Sequence, residues 1–130
     1  DEVRAAVARE TTELHRREQA YRSGRPPLDL AGRTVVLVDD GIATGASMIA
    51  AVRSVRQSGA THIVVGVPVG PASVCKQLRD EADDVVCSTM PARFRAVGQV
   101  FEDFHQVSDD EVRHLLATPT TGRGRFIENR

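Results

Sequence analysis

Three short aliphatic runs, separated by stretches of helical spacing, constrain the fold of this chain more than any other feature. "TVVLVDD" (residues 34–40) and "THIVVGVPVG" (residues 61–70) are apolar at successive positions, and "DVVC" (residues 84–87) is shorter. Apolar residues recur at helical spacing between the runs, at Met48, Ile49, Val52 and Val55 and again at Val74, Cys75, Leu78 and Ala82. Strands that are apolar on both faces are typical of parallel sheets covered by helices on each side. The β-α-β-α-β order therefore predicts an α/β fold with a three- to four-stranded, mainly parallel sheet flanked by helices.

The segments on either side of this pattern predict further elements. Residues 1–21 lack Gly and Pro and place Val3, Val7, Leu14 and Tyr21 on one stripe, which indicates a largely exposed helix. Residues 96–101 suggest an edge strand. "SDDE" (residues 108–111) has the form of a capping box and predicts a last helix that buries Val112, Leu115 and Leu116. We expect one domain over residues 1–117 and a tail or linker over residues 118–130.

Composition narrows the classes of partner. Seventeen basic residues stand against 18 acidic ones, for a formal charge of −1, so no electrostatic field favours nucleic acid. No segment approaches the roughly 18 to 20 apolar residues that a bilayer requires, which predicts no membrane partner. Cys75 and Cys87 lie twelve residues apart and favour buried free thiols over a disulfide. Without a recognisable signal peptide, a cytoplasmic location is the expectation.

The candidate site is "VVLVDDGIATGAS" (residues 35–47), where a strand pattern gives way to a helix pattern. Ligands of open α/β sheets bind beyond the carboxyl ends of the strands, which is where Asp39 and Asp40 are expected. The small turn that follows aims backbone amides and a helix N-terminus at the same place, which favours a phosphate. Paired carboxylates beside a phosphate suit a sugar phosphate, because they accept hydrogen bonds from hydroxyl groups. The predicted binding residues are Asp39, Asp40, Gly41, Ala43, Thr44, Gly45, Ala46 and Ser47.

Two other interpretations of the acid pair remain open. In the first, Asp39 caps the turn locally and Asp40 is solvated, so neither residue binds a ligand. In the second, the pair belongs to the acidic metal pocket of a phosphoacceptor receiver domain. Such a domain needs another Asp after a later central strand and a Lys beyond it, whereas "VVGVPVG" ends without an acid and the chain's one Lys is Lys76.

The same stretch resembles the PRPP-binding motif of the type I phosphoribosyltransferases. "VVGVPVG", "DVVC" and "FRAVGQVFEDFHQVSDDEV" are similar to one branch of that family, and the resemblance covers residues 10–117. It implies a glycosyltransferase of nucleotide metabolism that moves a 5-phosphoribosyl group from PRPP to a nitrogenous acceptor, for which a nucleobase is one candidate, and releases pyrophosphate. Asp39 and Asp40 would hold the ribose hydroxyls as catalytic residues, and the turn from Ala43 to Ser47 would grip the 5′-phosphate. Mg²⁺ would be held through PRPP.

The chain also departs from the family pattern. Family members carry an earlier strand and a pyrophosphate loop, so this sequence resembles the C-terminal part of the domain. Arg22 and Arg25 either reach pyrophosphate or are solvated surface residues. We expect these 130 residues to bind ribose 5-phosphate but to catalyse transfer poorly. An uncovered sheet edge would also invite a homodimer.

Two further functions compete with catalysis. Three functions are open: catalysis by an enzyme, binding of PRPP or a nucleotide by a non-catalytic regulatory module, and interaction as a piece of a larger multidomain protein. Phe94, Phe101 and Phe104 either stack on an acceptor base or form core beneath an edge strand. The four histidines have no ligand spacing, so no residue is assigned to a metal.

Overall fold

The computed structural model describes residues 2–22 and 24–118. The elements in chain order are α1 (Glu2–Arg22), β1 (Thr34–Val38), α2 (Ala46–Gln57), β2 (His62–Val69), α3 (Ala72–Arg79), β3 (Asp84–Thr89), a short 3-10 helix (Val97–Val100) and α4 (Asp109–Ala117). Residue contacts divide the chain into two compact units, one formed by Asp1–Pro26 with His105–Arg130 and the other by Pro27–Phe104. Most of the predicted tail, residues 119–130, lies outside the described residues. No helix in the described part of the chain is long and apolar enough to cross a membrane.

The second unit contains a three-stranded parallel sheet in the order β1-β2-β3. Val36 lies opposite Val64 in the first pairing, and Gly66 lies opposite Val86 in the second. All three strands begin within a residue of their predicted starts, and Gly59, with φ of +90°, ends α2 in the left-handed conformation. The prediction of an α/β fold with a parallel sheet is confirmed.

The core lies on one face of this sheet. Ile63, Val65 and Val67 of β2 are buried there against Val52 of α2 and Leu78 of α3. Both connections link neighbouring parallel strands in the same direction, and right-handed crossovers of that kind put both helices on the same face.

The exposure of the other face of the sheet departs from the expectation that helices cover both faces. Val36 and Val38 of β1 and Val86 of β3 are 59%, 75% and 58% exposed. The sequence pattern shows that both faces are apolar, but it does not say which element covers each face. In the described residues, only the face that carries Val35 and Leu37 packs against α2 and α3.

The predicted edge strand at residues 96–101 is wrong. Val97–Val100 form a 3-10 helix instead. The side-chain carbonyl of Gln99 accepts hydrogen bonds from the backbone N–H groups of Arg95 (2.6 Å) and Ala96 (3.1 Å). In a strand, one of these two successive amides would have to face the neighbouring strand, so its local hydrogen bond to Gln99 competes with strand pairing.

The prediction of free thiols is also wrong. Cys75 of α3 and Cys87 of β3 form a disulfide with a Cα–Cα distance of 6.4 Å. Cys75 is fully buried and Cys87 is half-buried on the face of the sheet that carries the core. The connection from α3 back to β3 brings the two cysteines together, and the spacing of twelve residues alone does not reveal this.

The first unit pairs α1 with α4. The carboxylate of Asp109 accepts hydrogen bonds from Arg16 Nη1 at 2.5 Å and from Tyr21 Oη at 2.8 Å. These donors hold the pKa of Asp109 below its usual range, with Arg16 as the main cause. Ser108 caps α4 as predicted, since its Oγ accepts from Glu111 N at 3.2 Å.

The predicted core of α4 is not formed. Leu115 and Leu116 are exposed, and Val112 is only partly buried. Helical periodicity identifies an apolar stripe, but burial of that stripe requires a facing surface. α1 is largely exposed, as expected, including Val3, Val7 and Leu14 on its stripe.

Candidate functional site

The turn after β1 is held against the end of β2. Ile42 N donates to Val69 O at 3.0 Å, and Asp39 N makes a long contact of 3.4 Å with Gly66 O. Gly41 and Ile42 are both buried, so the chain passes from the exposed acid pair directly into the core. This arrangement fixes where the carboxylates stand at the carboxyl end of the sheet.

Gly45 begins α2 in a conformation that disfavours other residues. Its φ is +76°, in the left-handed region, and it occupies the N-cap position. A Cβ built on Gly45 would stand 2.5 Å from Val74 Cγ1 of α3. Gly45 is one of the predicted binding residues, and the structure supplies two reasons for a glycine at this position, because a side chain here would strain the backbone and collide with α3.

A cavity of about 190 Å³ opens at this turn. Of the predicted binding residues, it is lined by Asp39, Gly41, Ala43, Thr44, Gly45, Ala46 and Ser47, together with Ile42 and Met48. Asp40 does not line it. None of the residues that line the cavity is basic, so attraction for an anion has to come from the backbone.

The first turn of α2 presents amides toward the cavity. The first intrahelical bond of α2 runs from Ile49 N to Gly45 O at 2.9 Å, so the amides of residues 46–48 precede it. Ala46 N makes a 3.4 Å contact with Thr44 Oγ1, which leaves the hydroxyl hydrogen of Thr44 free to donate. Amides at a helix N-terminus, with the helix dipole behind them, suit a phosphate.

The two acids have different surroundings. Asp39 Oδ1 accepts a hydrogen bond from Asp40 N at 2.8 Å, which is the local cap of the alternative interpretation. The second carboxylate oxygen of Asp39 can still accept from a ligand. Asp40 is exposed as a residue, yet partial desolvation of its carboxyl raises its pKa, and the neighbouring charge of Asp39 raises it further.

Two valines that the sequence did not identify support the turn from behind. Val74 packs at Gly45, and both methyl groups of Val97 lie 2.6 and 2.8 Å from where a Cβ on Gly41 would stand. Val97 is 56 positions after Gly41 in the chain. No local spacing links residues so far apart, so only the fold reveals these contacts.

Two phenylalanine rings lie close to the segment that carries Val97. Phe101 and Phe104 stack with ring centroids 5.2 Å apart, and Phe104 is 53% exposed. The Phe104 ring also lies against Gly98, the residue that follows Val97. The exposure of Phe104 does not fit the alternative of a core for that ring, whereas Phe94 and Phe101 are half-buried.

Arg22 and Arg25 belong to the first unit. Arg22 Nη2 donates to Pro26 O at 2.5 Å, and Arg25 N donates to Arg22 O at 2.9 Å. With Gly24 and part of α1, the two arginines line a cavity of about 280 Å³. The guanidinium of Arg22 is therefore tied to its own loop.

A larger cavity, of about 390 Å³, lies beside α2 and includes Val52 and Gln57. Its arginines are already paired: Arg53 binds Glu81 at 2.6 and 3.1 Å, and Arg56 binds Asp83 at 3.1 Å. It offers no convergent unpaired donors, so the smaller cavity at the turn is the better candidate. The described residues contain no group of three or more His, Cys, Asp or Glu side chains arranged to hold a metal ion.

Comparison with known proteins identifies the family. The family model described as "Phosphoribosyl transferase domain" matches residues 3–104, from near the start of the chain, so the prediction that this sequence corresponds to the C-terminal part of the domain is wrong. Two Mycobacterium tuberculosis proteins, from strains CDC 1551 / Oshkosh and H37Rv, are each named "Putative phosphoribosyl transferase" and are 46% identical to this chain over 112 residues. These residues are 86% of this chain but 25% of either relative, so the chain spans about a quarter of their length.

A solved structure supports the fold independently. The crystal structure of TT1426 from Thermus thermophilus superimposes with a TM-score of 0.74 at 44% sequence identity, over 84% of this chain and 52% of that one. This chain belongs to the phosphoribosyl transferase domain family.

Proposed function

We propose that the turn after β1 binds the ribose 5-phosphate part of PRPP, and that the protein transfers the 5-phosphoribosyl group to a nitrogenous acceptor with release of pyrophosphate. One observation carries the proposal. A single cavity joins the Asp39 carboxylate to the amides at the start of α2. Those two chemistries match the two ends of a ribose 5-phosphate.

The phosphate end depends on neutral donors. The amides of residues 46–48 and the hydroxyls of Thr44 and Ser47 would bind the 5′-phosphate oxygens. Since no basic residue lines the cavity, the helix N-terminus supplies the favourable field. We expect phosphate affinity to depend less on salt than it would at an arginine cluster.

The ribose end depends on the acids. Asp39 faces the cavity and would accept from one ribose hydroxyl, with Asp40 beside it for the second. The same negative charges would stabilise an oxocarbenium-like transition state. In the transfer, the C1–O bond breaks with its electron pair on pyrophosphate, the acceptor nitrogen forms the C1–N bond, and that nitrogen loses its proton.

The proposed cofactor is Mg²⁺. Magnesium is usually held by one or two carboxylates together with substrate phosphates, and the cavity offers one carboxylate, that of Asp39. This donor set fits an ion held mainly through PRPP oxygens. When bound there, Mg²⁺ supplies positive charge that stabilises the leaving pyrophosphate.

The acceptor is proposed to have a planar face. The exposed ring of Phe104, stacked on Phe101, is suited to contact a base, and contacts through Gly98 and Val97 connect it to Gly41 at the turn. This supports stacking as the role of these rings.

Calorimetric titrations with ribose 5-phosphate, inorganic phosphate and ribose test the proposal. Asp39→Asn and Asp40→Asn should each weaken ribose 5-phosphate more than inorganic phosphate, because a hydrogen bond to a charged group contributes about 1.5 to 3 kcal/mol. Asp80→Asn, an exposed acid at the end of α3, is the matched control and should change neither affinity. Equal losses for both ligands would show that the carboxylates act only on the fold.

A second candidate is a non-catalytic PRPP- or nucleotide-binding regulatory module. It is favoured by the local engagement of Asp39 with Asp40 N and by the position of Asp40 outside the cavity lining. Release of pyrophosphate from PRPP and Mg²⁺ with a panel of bases distinguishes the candidates. Binding without pyrophosphate release from the longest natural form of the protein would support the regulatory module.

A further inference from the structure

Gln99 organises the loop before the 3-10 helix. Its side-chain carbonyl accepts from the amides of Arg95 and Ala96, and its side-chain NH2 donates to Arg93 O at 3.1 Å. These three bonds wrap residues 93–96 around one amide group. Gln99 is itself an exposed residue, so its contribution lies in these hydrogen bonds and not in buried area.

The loop places Val97 against Gly41. Val97 and Val69 together fill the space around Gly41, since their methyl groups lie 2.6 and 2.7 Å from where its Cβ would stand. Gly41 directly follows Asp40, and the next residue, Ile42, is held by the hydrogen bond that its backbone N–H donates to Val69 O. The acid end of the turn is therefore held between the last residue of β2 and Val97.

The phosphate end of the turn has a separate support. Gly45 packs against Val74 of α3, and Ile49 N bonds to Gly45 O. Neither contact involves residues 93–99. A change at Gln99 should therefore reach the acid end of the cavity more than the phosphate end.

We propose that Gln99 is a positioning residue for the ribose end of the site, which acts by holding Val97 against Gly41 and so fixing the backbone that carries Asp39 and Asp40. The part of this proposal that concerns a ligand rests on the proposed function above. The part that concerns the backbone can be measured without any ligand.

Amide hydrogen exchange in the ligand-free chain tests the backbone effect. Gln99→Ala should speed exchange of the Ile42 amide about tenfold and leave the Ile49 amide within about twofold of the parent, because local opening follows the local support that is lost. Val97→Ala should have the same selective effect without touching the loop hydrogen bonds. Unchanged exchange at Ile42 in both variants would overturn the proposal.

Binding tests the effect on the ligand. Gln99→Ala should weaken ribose 5-phosphate about fivefold to tenfold while inorganic phosphate stays within about twofold. Gln99→Glu keeps both acceptor bonds but sets a carboxylate oxygen against Arg93 O in place of the donating NH2, so it should recover only part of the loss. Gln77→Ala, an exposed Gln of α3, is the matched control and should match the parent.

The outcomes separate the two proposals. If the parent chain binds no ribose 5-phosphate, the proposed function fails, while hydrogen exchange still decides the role of Gln99. If the parent binds and Gln99→Ala loses ribose 5-phosphate and inorganic phosphate equally, Gln99 supports the fold in general and the positioning role is wrong. Should Gln99→Ala fail to fold, Val97→Ala decides by the same measurements.

Discussion

At the scale of single residues, the candidate site depends on glycines where a side chain is disfavoured and on an acid whose ionised form is unfavourable for folding. Gly41 and Gly45 are each enclosed by valine methyl groups from elsewhere in the fold. The pKa of Asp40 is raised because its carboxyl is desolvated next to Asp39. Residues that lower stability are often retained where a ligand binds.

A side chain at Gly45 is opposed both by the left-handed backbone and by the contact with Val74, and the two effects can be measured separately. Gly45→Ala should lower the free energy of unfolding by about 2 to 4 kcal/mol, because the left-handed backbone and the contact with Val74 both oppose a Cβ. Gly32→Ala is the control: φ there is +70°, but nothing lies within 4 Å of the added Cβ. That variant should lose only about 1 to 2 kcal/mol. Urea denaturation measures both, and equal losses would mean that Val74 does not constrain Gly45.

Asp40 should make stability depend on pH. Its raised pKa means that, between the unfolded and folded pKa values, the native state binds more protons, so the free energy of unfolding falls as pH rises through that window. Asp40→Asn should therefore be more stable than the parent at pH 7, with the difference vanishing below the usual carboxyl pKa. Urea denaturation across this pH range provides the measurement. A difference that persists unchanged in acid would contradict the assigned cause.

At the scale of elements, α3 connects the site to the rest of the sheet. Its Val74 supports Gly45, and the next residue, Cys75, is joined to Cys87 of β3. One short helix thus contributes both to the phosphate end of the turn and to a covalent link with the third strand. A salt bridge between Arg56 of α2 and Asp83, the residue before β3, adds a further connection.

The disulfide should contribute measurably to stability. Reduction, or the double substitution of Cys75 and Cys87 by Ala, should lower the free energy of unfolding by about 3 kcal/mol, as expected for closing a loop of this size. Guanidinium denaturation with and without a dithiol reductant measures the loss. Thiol titration of the denatured, unreduced protein should find no free thiol, and two titratable thiols would show that the pair is reduced.

At the scale of the whole molecule, the chain covers only part of the length of its relatives. It spans 25% of the matched mycobacterial proteins and 52% of the Thermus thermophilus structure. Its sheet leaves Val36, Val38 and Val86 exposed on one face. The activity of the complete protein and the binding of ribose 5-phosphate at the turn are therefore both proposals.

We predict that the 130 residues bind ribose 5-phosphate but transfer the phosphoribosyl group poorly. Binding uses only the turn from Asp39 to Ser47, whereas turnover also requires pyrophosphate to be held in line with the anomeric carbon. Positioning of reactants accounts for about 7 to 11 kcal/mol of a barrier, and no basic residue lines the cavity to hold pyrophosphate, so turnover should be many orders of magnitude slower than at a site that holds both ends of PRPP. The 130-residue chain and one extended upstream are compared with the same PRPP, Mg²⁺ and bases. Equal turnover would show that these residues hold a complete active site.

The sequence by itself determined the order of elements, the parallel sheet and the location of the candidate site. Those properties are local, since hydrophobic period, capping residues and small turn residues act over a few positions. The start of β1 and the Ser108 cap were both predictable for this reason. The motif at residues 35–47 likewise located the turn, and of the predicted binding residues only Asp40 lies outside the cavity lining.

Only the tertiary structure decided which apolar surfaces are covered and which distant residues meet. Val36 and Leu37 are equally apolar, yet α2 and α3 lie on one face, so one is exposed and the other packs against the core. The disulfide, the contact of Val74 with Gly45 and the contact of Val97 with Gly41 join residues 12, 29 and 56 positions apart. Such contacts depend on how the crossovers close, a property of the whole chain that no short window of sequence contains.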